Sequence, residues 1–169
     1  MEKKDILAEK FVFYENYHKN ILNKLVHLIC IPLLTWTTTV FLGYIPIFNV
    51  FNHQIRMDVF VTILYMLYYI YLDLNLGLVS SLVLYFNLKL ASSYVQSYPF
   101  NSGFKFVFIL HILSWISQIL SHKYFEGNRP AFLKGLFDSF TVAPLFSFLE
   151  FLFIFNLGEN IYNRIENYK

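Results

Sequence analysis

Residues 59–88, VFVTILYMLYYIYLDLNLGLVSSLVLYFNL, determine how many times the chain can cross a membrane. Asp73 is the one charged residue in this segment and divides it into apolar runs at 59–72 and 74–88. A single helix over the whole segment would bury the Asp73 carboxylate near the centre of a bilayer, at a cost of about 3 kcal/mol or more. The DLNLG sequence at 73–77 favours a turn instead, because Asp and Asn form local hydrogen bonds and Gly accepts positive φ. We therefore predict a short helical hairpin over 59–88.

Three further apolar runs lie outside this segment, at 25–45, 106–122 and 139–158. Each is close to the roughly 20 residues that cross the hydrocarbon core of a bilayer. The composition agrees with a membrane protein, since 57% of the residues are hydrophobic and only 14% are charged. We predict an all-α fold, an integral membrane helical bundle of about five transmembrane helices in a single membrane-embedded domain, residues 1–169.

Composition also excludes several classes of function. The net charge of +2 is too small and too diffuse for a nucleic-acid partner. Cys30 is the one cysteine, so the chain has no internal disulfide. Neither a Ser-His-Asp arrangement nor a glycine-rich phosphate loop is present. The expected surroundings are a lipid bilayer, and the sequence leaves the oligomeric state undetermined.

The hairpin decides on which side of the membrane the histidines lie. With it, the chain crosses four times between His18 and His122, so both return to one face; a single helix over 59–88 would put them on opposite faces. Basic residues favour the cytoplasmic side, and eight of them would share the side of the N-terminus against five on the other. The sequence thus predicts a cytoplasmic N-terminus. The eight are Lys3, Lys4, Lys10, Lys19, Lys24, Lys123, Arg129 and Lys134, and the five are Arg56, Lys89, Lys105, Arg164 and Lys169.

Polar side chains are concentrated in YHKNILNKLVH, residues 17–27, where the first apolar run begins. Asn20 can cap a helix that starts near Ile21. Asn23 and His27 then lie one turn apart on the same helical face. His18 precedes the cap on non-helical backbone, so it is free to fold back over the helix end.

A second polar stripe runs through 111–131, where His111, Trp115, Gln118 and His122 recur at spacings of four, three and four. Gln118 and His122 repeat the amide-to-imidazole spacing of the first segment. An amide one turn away can orient the imidazole nitrogen that does not bind metal. Glu126, four residues past His122, adds a carboxylate.

Imidazoles with a carboxylate suit a divalent transition metal, and two His with one carboxylate favour non-haem Fe(II) and oxygen chemistry. Spacing alone does not separate iron from an open zinc site. We predict His18, His27 and His122 as ligands. His111 is a fourth candidate, but on a straight helix it lies about 16 Å from His122, whereas a His–metal bond is about 2.1 Å long. It would bind the ion from deeper in the bilayer, contact the substrate or relay a proton.

At these residues the chain resembles the Mpo1-like (DUF962) family of membrane 2-hydroxy fatty acid dioxygenases. The matching pieces are Tyr17-His18-x4-Asn23-x3-His27-x3-Ile31-Pro32 and Trp115-x2-Gln118-x3-His122-x3-Glu126-x2-Arg129-Pro130-Ala131. The hydrophobic layout is similar over nearly the whole chain. Cys30 and Ser121 stand where the family often has glycine.

The resemblance implies Fe(2+)-dependent α-oxidation at the endoplasmic reticulum membrane. In that reaction, O2 and a 2-hydroxy fatty acid give a fatty acid one carbon shorter and CO2, in the service of phytosphingosine breakdown. It also implies that Asn23, Gln118, Glu126 and Arg129 assist the reaction, with Arg129 able to pair with the substrate carboxylate. Two rivals remain open at this point: a non-enzymatic membrane scaffold or lipid-binding protein, and a zinc-dependent membrane hydrolase.

Overall fold

The structure is a computed structural model that describes residues 5–51, 53–127 and 140–169. The described residues are almost entirely helical, which confirms the predicted all-α membrane bundle. The α-helices are α1 (Ile6–Glu15), α2 (Ile21–Gly43), α3 (Met57–Leu72), α4 (Leu74–Ser97), α5 (Phe100–Ser121), α6 (Ala143–Ile154) and α7 (Glu159–Glu166); the strands are β1 (Pro46–Val50) and β2 (His53–Arg56); and a π-helical turn, His122–Glu126, continues α5.

All five predicted apolar runs contain a helix, α2 to α6. Within the described part of the chain, α2, α4, and α5 with its π-helical turn are long and apolar enough to cross a membrane; α6 and α7 make a fourth crossing when the pair, bent by 109°, is counted as one broken span. The 16-residue α3 is shorter. Large apolar side chains such as Ile29, Leu82 and Leu90 are more than 60% exposed, as expected where helices contact lipid.

The described residues form two compact units. The terminal unit contains the described residues of 1–32 and 116–169, and the central unit contains those of 33–115. Because α2 and α5 each contribute residues to both units, neither unit is a separate stretch of chain. The prediction of a single domain stays a prediction.

The predicted hairpin is confirmed, and it lies in the central unit. Asp73 interrupts the helix with extended backbone (φ −158°, ψ 127°), and its carboxylate accepts a hydrogen bond of 2.9 Å from the Leu76 amide at the start of α4. It therefore acts as the N-cap of α4. The second arm of the hairpin is longer than predicted, because Lys89 is accommodated on an exposed helical face and α4 ends only before Tyr98-Pro99.

Gly77 permits the close approach of the two arms. A Cβ atom at this position would lie 2.4 Å from the Ile70 amide nitrogen and 2.5 Å from the Tyr69 carbonyl carbon. Both atoms belong to the backbone of α3, so neither can rotate away. Only glycine allows the arms to pack at this distance.

We expect Gly77→Ala to destabilise the protein by about 3 kcal/mol, at the upper end of overpacking costs. This corresponds to a fall in melting temperature of roughly 6–12 °C for a chain of this size, measured by thermal unfolding in detergent. Asn75→Ala is the matched control, since Asn75 is exposed on the same turn of α4. A Gly77→Ala protein that melts with the Asn75→Ala protein would show that the arms are not in contact at this point.

The β-hairpin of β1 and β2 was not predicted from the sequence. Phe48 pairs with Ile55, and Asn49 pairs with Gln54, in an antiparallel register with an irregularity between Pro46 and Phe48. The sequence of β1 is rich in aromatic and β-branched residues, which favour strands. Because β1 is apolar and directly follows the apolar run at 25–45, hydrophobicity alone does not show where the membrane span ends and the strand begins.

A buried ion pair ties β2 to the helical hairpin. Asp58 is fully buried and receives two hydrogen bonds from the Arg56 guanidinium, at 3.1 and 2.7 Å. The same guanidinium donates to Ser92 Oγ at 2.5 Å. This paired carboxylate meets the requirement that a buried charge be compensated.

In the terminal unit, α1 was also not predicted from the sequence. Its charged residues interrupt the apolar pattern, so the segment does not resemble a membrane span. Asp5 caps α1 through a 3.1 Å hydrogen bond from the Ala8 amide. Phe11 packs edge-on against Phe146 of α6 at 5.2 Å between ring centroids. Ion pairs join the ends of α1 to α7, with Arg164 Nε lying 2.6 Å from the Asp5 carboxylate.

Candidate metal centre

Three buried histidines of the terminal unit converge on one point. His18 lies between α1 and α2, His27 lies on α2, and His122 begins the π-helical turn. Their ring centroids are 4.6 to 4.8 Å apart, and one nitrogen from each ring lies within 4.8 Å of the others. We call these residues the histidine triad. His18 and His122 thus lie close together, and their predicted position on one side of the membrane stays a prediction.

His18 is fixed by the end of α1. Its Nδ1–H donates to the Tyr14 carbonyl at 2.9 Å, and its ring stacks on the Tyr14 ring at 3.9 Å between centroids. A neutral imidazole that donates from Nδ1 keeps a lone pair on Nε2. Burial, together with the neighbouring charges of His27 and His122, lowers the pKa of His18 from 6.5 to about 2. The ring is therefore neutral at physiological pH, which is the form that binds metal.

His27 is held in the same way by its own helix. Its Nδ1–H donates to the main-chain carbonyl of Asn23 at 2.9 Å, which leaves Nε2 as the ligand atom. The predicted spacing of Asn23 and His27 is therefore correct, but the group that orients the ring is a backbone carbonyl rather than the side-chain amide. A backbone carbonyl serves this purpose in many metal sites.

His122 lies where the α-helix widens into a π-helical turn, a feature that the sequence did not indicate. π-Helical turns within helices are frequent at functional sites. His122 Nδ1 is buried without a hydrogen-bond partner among the described residues. Among these residues, no donor occupies the lone pair of that ring nitrogen.

Asn23 connects the histidine-bearing elements. It is fully buried, its amide Nδ2–H donates to Glu126 Oε1 at 2.9 Å, and its Oδ1 lies 2.6 Å from the Ser121 hydroxyl. The Ser121 hydroxyl also lies 2.8 Å from the Gln118 carbonyl. One amide thus joins α2 to the end of α5 and to the π-helical turn.

Glu126 is placed beside the triad but is engaged elsewhere. Its Oε1 accepts hydrogen bonds from the Asn20 amide and from Asn23, both at 2.9 Å. Asn20 in turn caps α2, accepting a 2.9 Å bond from the Leu22 amide, as predicted. Glu126 is not one of the three grouped ligand residues. Its observed contacts hold the start of α2 against the π-helical turn.

Two other predicted site residues remain to be placed. Gln118 is buried on the last turns of α5, and its main-chain carbonyl is the Ser121 partner. Arg129 lies outside the residues that the structure describes. Its pairing with a substrate carboxylate stays a prediction.

His111 lies in the central unit with both ring nitrogens engaged. Trp115 Nε1–H donates to His111 Nε2 at 3.1 Å, so the neutral ring carries its proton on Nδ1. That proton is donated to Thr37 Oγ1 at 2.8 Å, and the Thr37 hydroxyl donates to the Leu34 carbonyl at 3.1 Å. This chain of bonds leaves no lone pair for a metal. These contacts form a hydrogen-bond network around the ring, and the predicted role of His111 as deep ligand, substrate contact or proton relay stays a prediction.

Sequence reasoning missed a charged pair beside the triad. Lys24 Nζ lies 2.7 Å from Glu150 Oε1 of α6, and both side chains are at most 20% exposed. Glu150 is thus a buried carboxylate with a charged partner. Lys24, however, looked like one of several orientation-setting lysines, because the sequence gives no sign that α6 returns to α2.

A divalent metal fits this centre. Two neutral imidazoles present Nε2, the third ring has a nitrogen with no hydrogen-bond partner in the described part of the chain, and all three rings are buried. Three imidazoles within this spacing bind transition metals, and they leave coordination positions open. The donor set is compatible with Fe(II) and with zinc alike.

Comparison with known proteins agrees with the geometry. The family model described as "2-hydroxy-palmitic acid dioxygenase Mpo1-like" matches residues 5–154. The chain is 32% identical over 148 residues to the 2-hydroxy-palmitic acid dioxygenase MPO1 of Saccharomyces cerevisiae, which covers 87% of this chain and 80% of the yeast protein. No solved structure is significantly similar to the chain. The matched region contains the whole histidine triad together with Asn23 and Glu126.

Proposed function

The chain belongs to the Mpo1-like family, and from this premise and the histidine triad we propose that it is an Fe(II)-dependent 2-hydroxy fatty acid dioxygenase. The reaction converts a 2-hydroxy fatty acid and O2 into the fatty acid one carbon shorter, CO2 and water. The bond that breaks joins the carboxyl carbon to the hydroxyl-bearing carbon. O2 is the oxidant, and the hydroxyl-bearing carbon becomes the new carboxyl group.

The convergence of three buried histidines supports this proposal most strongly. Bound Fe(II) would supply the redox chemistry that activates O2, which protein side chains alone do not provide. His18, His27 and His122 would hold the ion through uncharged nitrogens. Three protein ligands would leave the ion accessible to the 2-hydroxy acid and to O2.

The surrounding residues position the triad. Asn23 fixes His27 through its carbonyl, and it fixes the π-helical turn of His122 through Glu126. Contacts of this kind keep ligands in place before the metal arrives, which strengthens binding and lowers the cost of reorganisation. Arg129 is proposed to contact the substrate carboxylate, and Gln118, one helical turn before His122, is proposed to assist the reaction. The acyl chain would run along the apolar side chains of α2 and α5 that are exposed to lipid, such as Ile29 and Ile116.

The proposal extends to the cellular setting that the family resemblance implies. We place the enzyme in the endoplasmic reticulum membrane as a multi-pass protein with a cytoplasmic N-terminus, acting in phytosphingosine breakdown. The apolar helices support the multi-pass membrane character. The charge bias of the loops supports the orientation.

Product analysis tests the proposed reaction. Purified protein loaded with Fe(II) is given 2-hydroxypalmitate labelled with ¹³C at the carboxyl carbon, in air and under argon. We expect labelled CO2 and pentadecanoic acid in equal amounts, with one O2 consumed per CO2, and no product under argon. Protein loaded with zinc is the control and should be inactive.

The rival functions give different results in the same experiment. A zinc-dependent hydrolase needs no O2 and releases no carbon from a fatty acid. A scaffold or lipid-binding protein consumes neither substrate nor O2, whatever metal is supplied. Either result would replace the proposed function.

A further inference from the structure

We propose that Lys24, held by Glu150, binds the carboxylate of the acyl substrate beside the histidine triad. This inference rests on the proposed function, because the fatty acid is the ligand. It assigns to the ion pair a role in selecting acids over other long-chain lipids. The supporting observations are the location of the pair, its burial and the charge balance around it.

The ammonium group lies next to the triad. Lys24 and His27 are three residues apart on α2, so their side chains lie on neighbouring parts of one helical face. Tyr14, whose ring stacks on that of His18, also packs against Phe146, with 5.3 Å between ring centroids. Phe146 lies one helical turn before Glu150 on α6. The ion pair therefore lies near the triad.

Apolar contacts could join α2 to α6 at a lower cost in free energy than this ion pair. Glu150 is buried to 7% exposure, and removing two charges from water costs free energy that apolar contacts would not require. Lysine carries three donors on a flexible chain, and among the residues that the structure describes, Glu150 is the one ion-pair partner of Nζ. The remaining donors can serve a second carboxylate. Glu150 therefore fixes the position of the ammonium and leaves N–H groups of Lys24 available for a ligand.

Charge balance favours an anion at this place. Counting described side chains alone, the carboxylates of Glu126 and Glu150 and the ammonium of Lys24 leave one net negative charge around a triad of neutral imidazoles. A divalent cation would convert this to one net positive charge, and a fatty acid carboxylate would neutralise it. Buried sites are most stable when their charges are compensated. A long-chain alcohol gives no such compensation.

Binding of palmitate tests the proposal without catalysis. Palmitate has the carboxylate but lacks the 2-hydroxyl group, and 1-hexadecanol lacks the charge. Both labelled lipids are titrated onto the full chain, loaded with Fe(II) under argon in phospholipid nanodiscs, and binding to empty nanodiscs is subtracted. We expect Lys24→Met to weaken palmitate binding roughly 10-fold or more, the loss expected for a charge-assisted contact, and to leave hexadecanol binding unchanged.

Two control variants accompany Lys24→Met. Lys24→Arg keeps the charge and should retain most of the palmitate affinity. Lys19→Met removes an exposed lysine five residues earlier and should bind both lipids like the wild type. Iron content, measured for every variant, should remain at the wild-type level.

Three results would overturn the assignment. Lys24→Met could bind palmitate as tightly as the wild type, or it could lose palmitate and hexadecanol equally, which indicates a packing role. Arg129→Met could produce the loss that Lys24→Met does not. These outcomes are independent of the proposed reaction, because an inactive wild-type protein would still report whether Lys24 selects the acid.

Discussion

His27→Ala protein is expected to lose its iron and its α-oxidation activity while keeping its fold. The ring contributes one of three ligand nitrogens. Because Nδ1–H is bonded to the Asn23 carbonyl, the lone pair on Nε2 is available for the metal. A site with two remaining imidazoles should bind iron far more weakly, and turnover should fall by more than roughly 100-fold, the upper end for loss of a group that merely supports a ligand. Iron content by elemental analysis and CO2 release give the two readouts.

Variants at the other histidines sharpen this prediction. His122→Ala and His18→Ala should behave like His27→Ala, because the three rings are equivalent in spacing and burial. His111→Ala is the matched control, since it also removes a membrane-embedded imidazole. It should keep its iron, because both nitrogens of His111 are already bonded to protein groups. Equal iron loss in all four variants would show that His111 is also a ligand. Wild-type iron content in all four would show that these histidines do not bind iron.

The sequence was sufficient for those parts of the fold that depend on local chemistry. The cost of burying Asp73 and the turn chemistry that follows it predicted the hairpin, and the hairpin placed His18 and His122 on one side of the membrane. The cap at Asn20 and the helical spacing of Asn23 and His27 were also local features, and these two features are observed.

What the sequence did not predict depends on contacts between distant segments. The Lys24–Glu150 pair joins residues 126 positions apart, and either partner alone looks like an ordinary charged side chain. His111 fell on the same stripe as His122, so periodicity could not reveal that Trp115 and Thr37 would satisfy its ring. The π-helical turn at His122 is a backbone adjustment that no residue type in 122–126 requires.

Asn23→Leu is expected to weaken metal binding without removing any ligand. Leucine fills a similar volume but cannot bond Glu126 or Ser121, so the π-helical turn that carries His122 loses its tie to α2. The loss of an outer contact of this kind typically lowers metal affinity by about 10–100-fold. Competition with a chelator, using Co²⁺ as a spectroscopic probe, measures the change.

Asn87→Leu provides the comparison that separates positioning from folding. Asn87 is another amide on a membrane helix, and its Nδ2–H donates to Thr39 Oγ1 at 2.9 Å within the central unit. Both variants leave polar partners unbonded, which costs about 1–3 kcal/mol each, so both should melt at lower temperatures. Only Asn23→Leu should also bind Co²⁺ more weakly and with an altered visible spectrum. If the two variants differ from wild type in melting alone, Asn23 contributes to stability and the triad keeps its geometry without it.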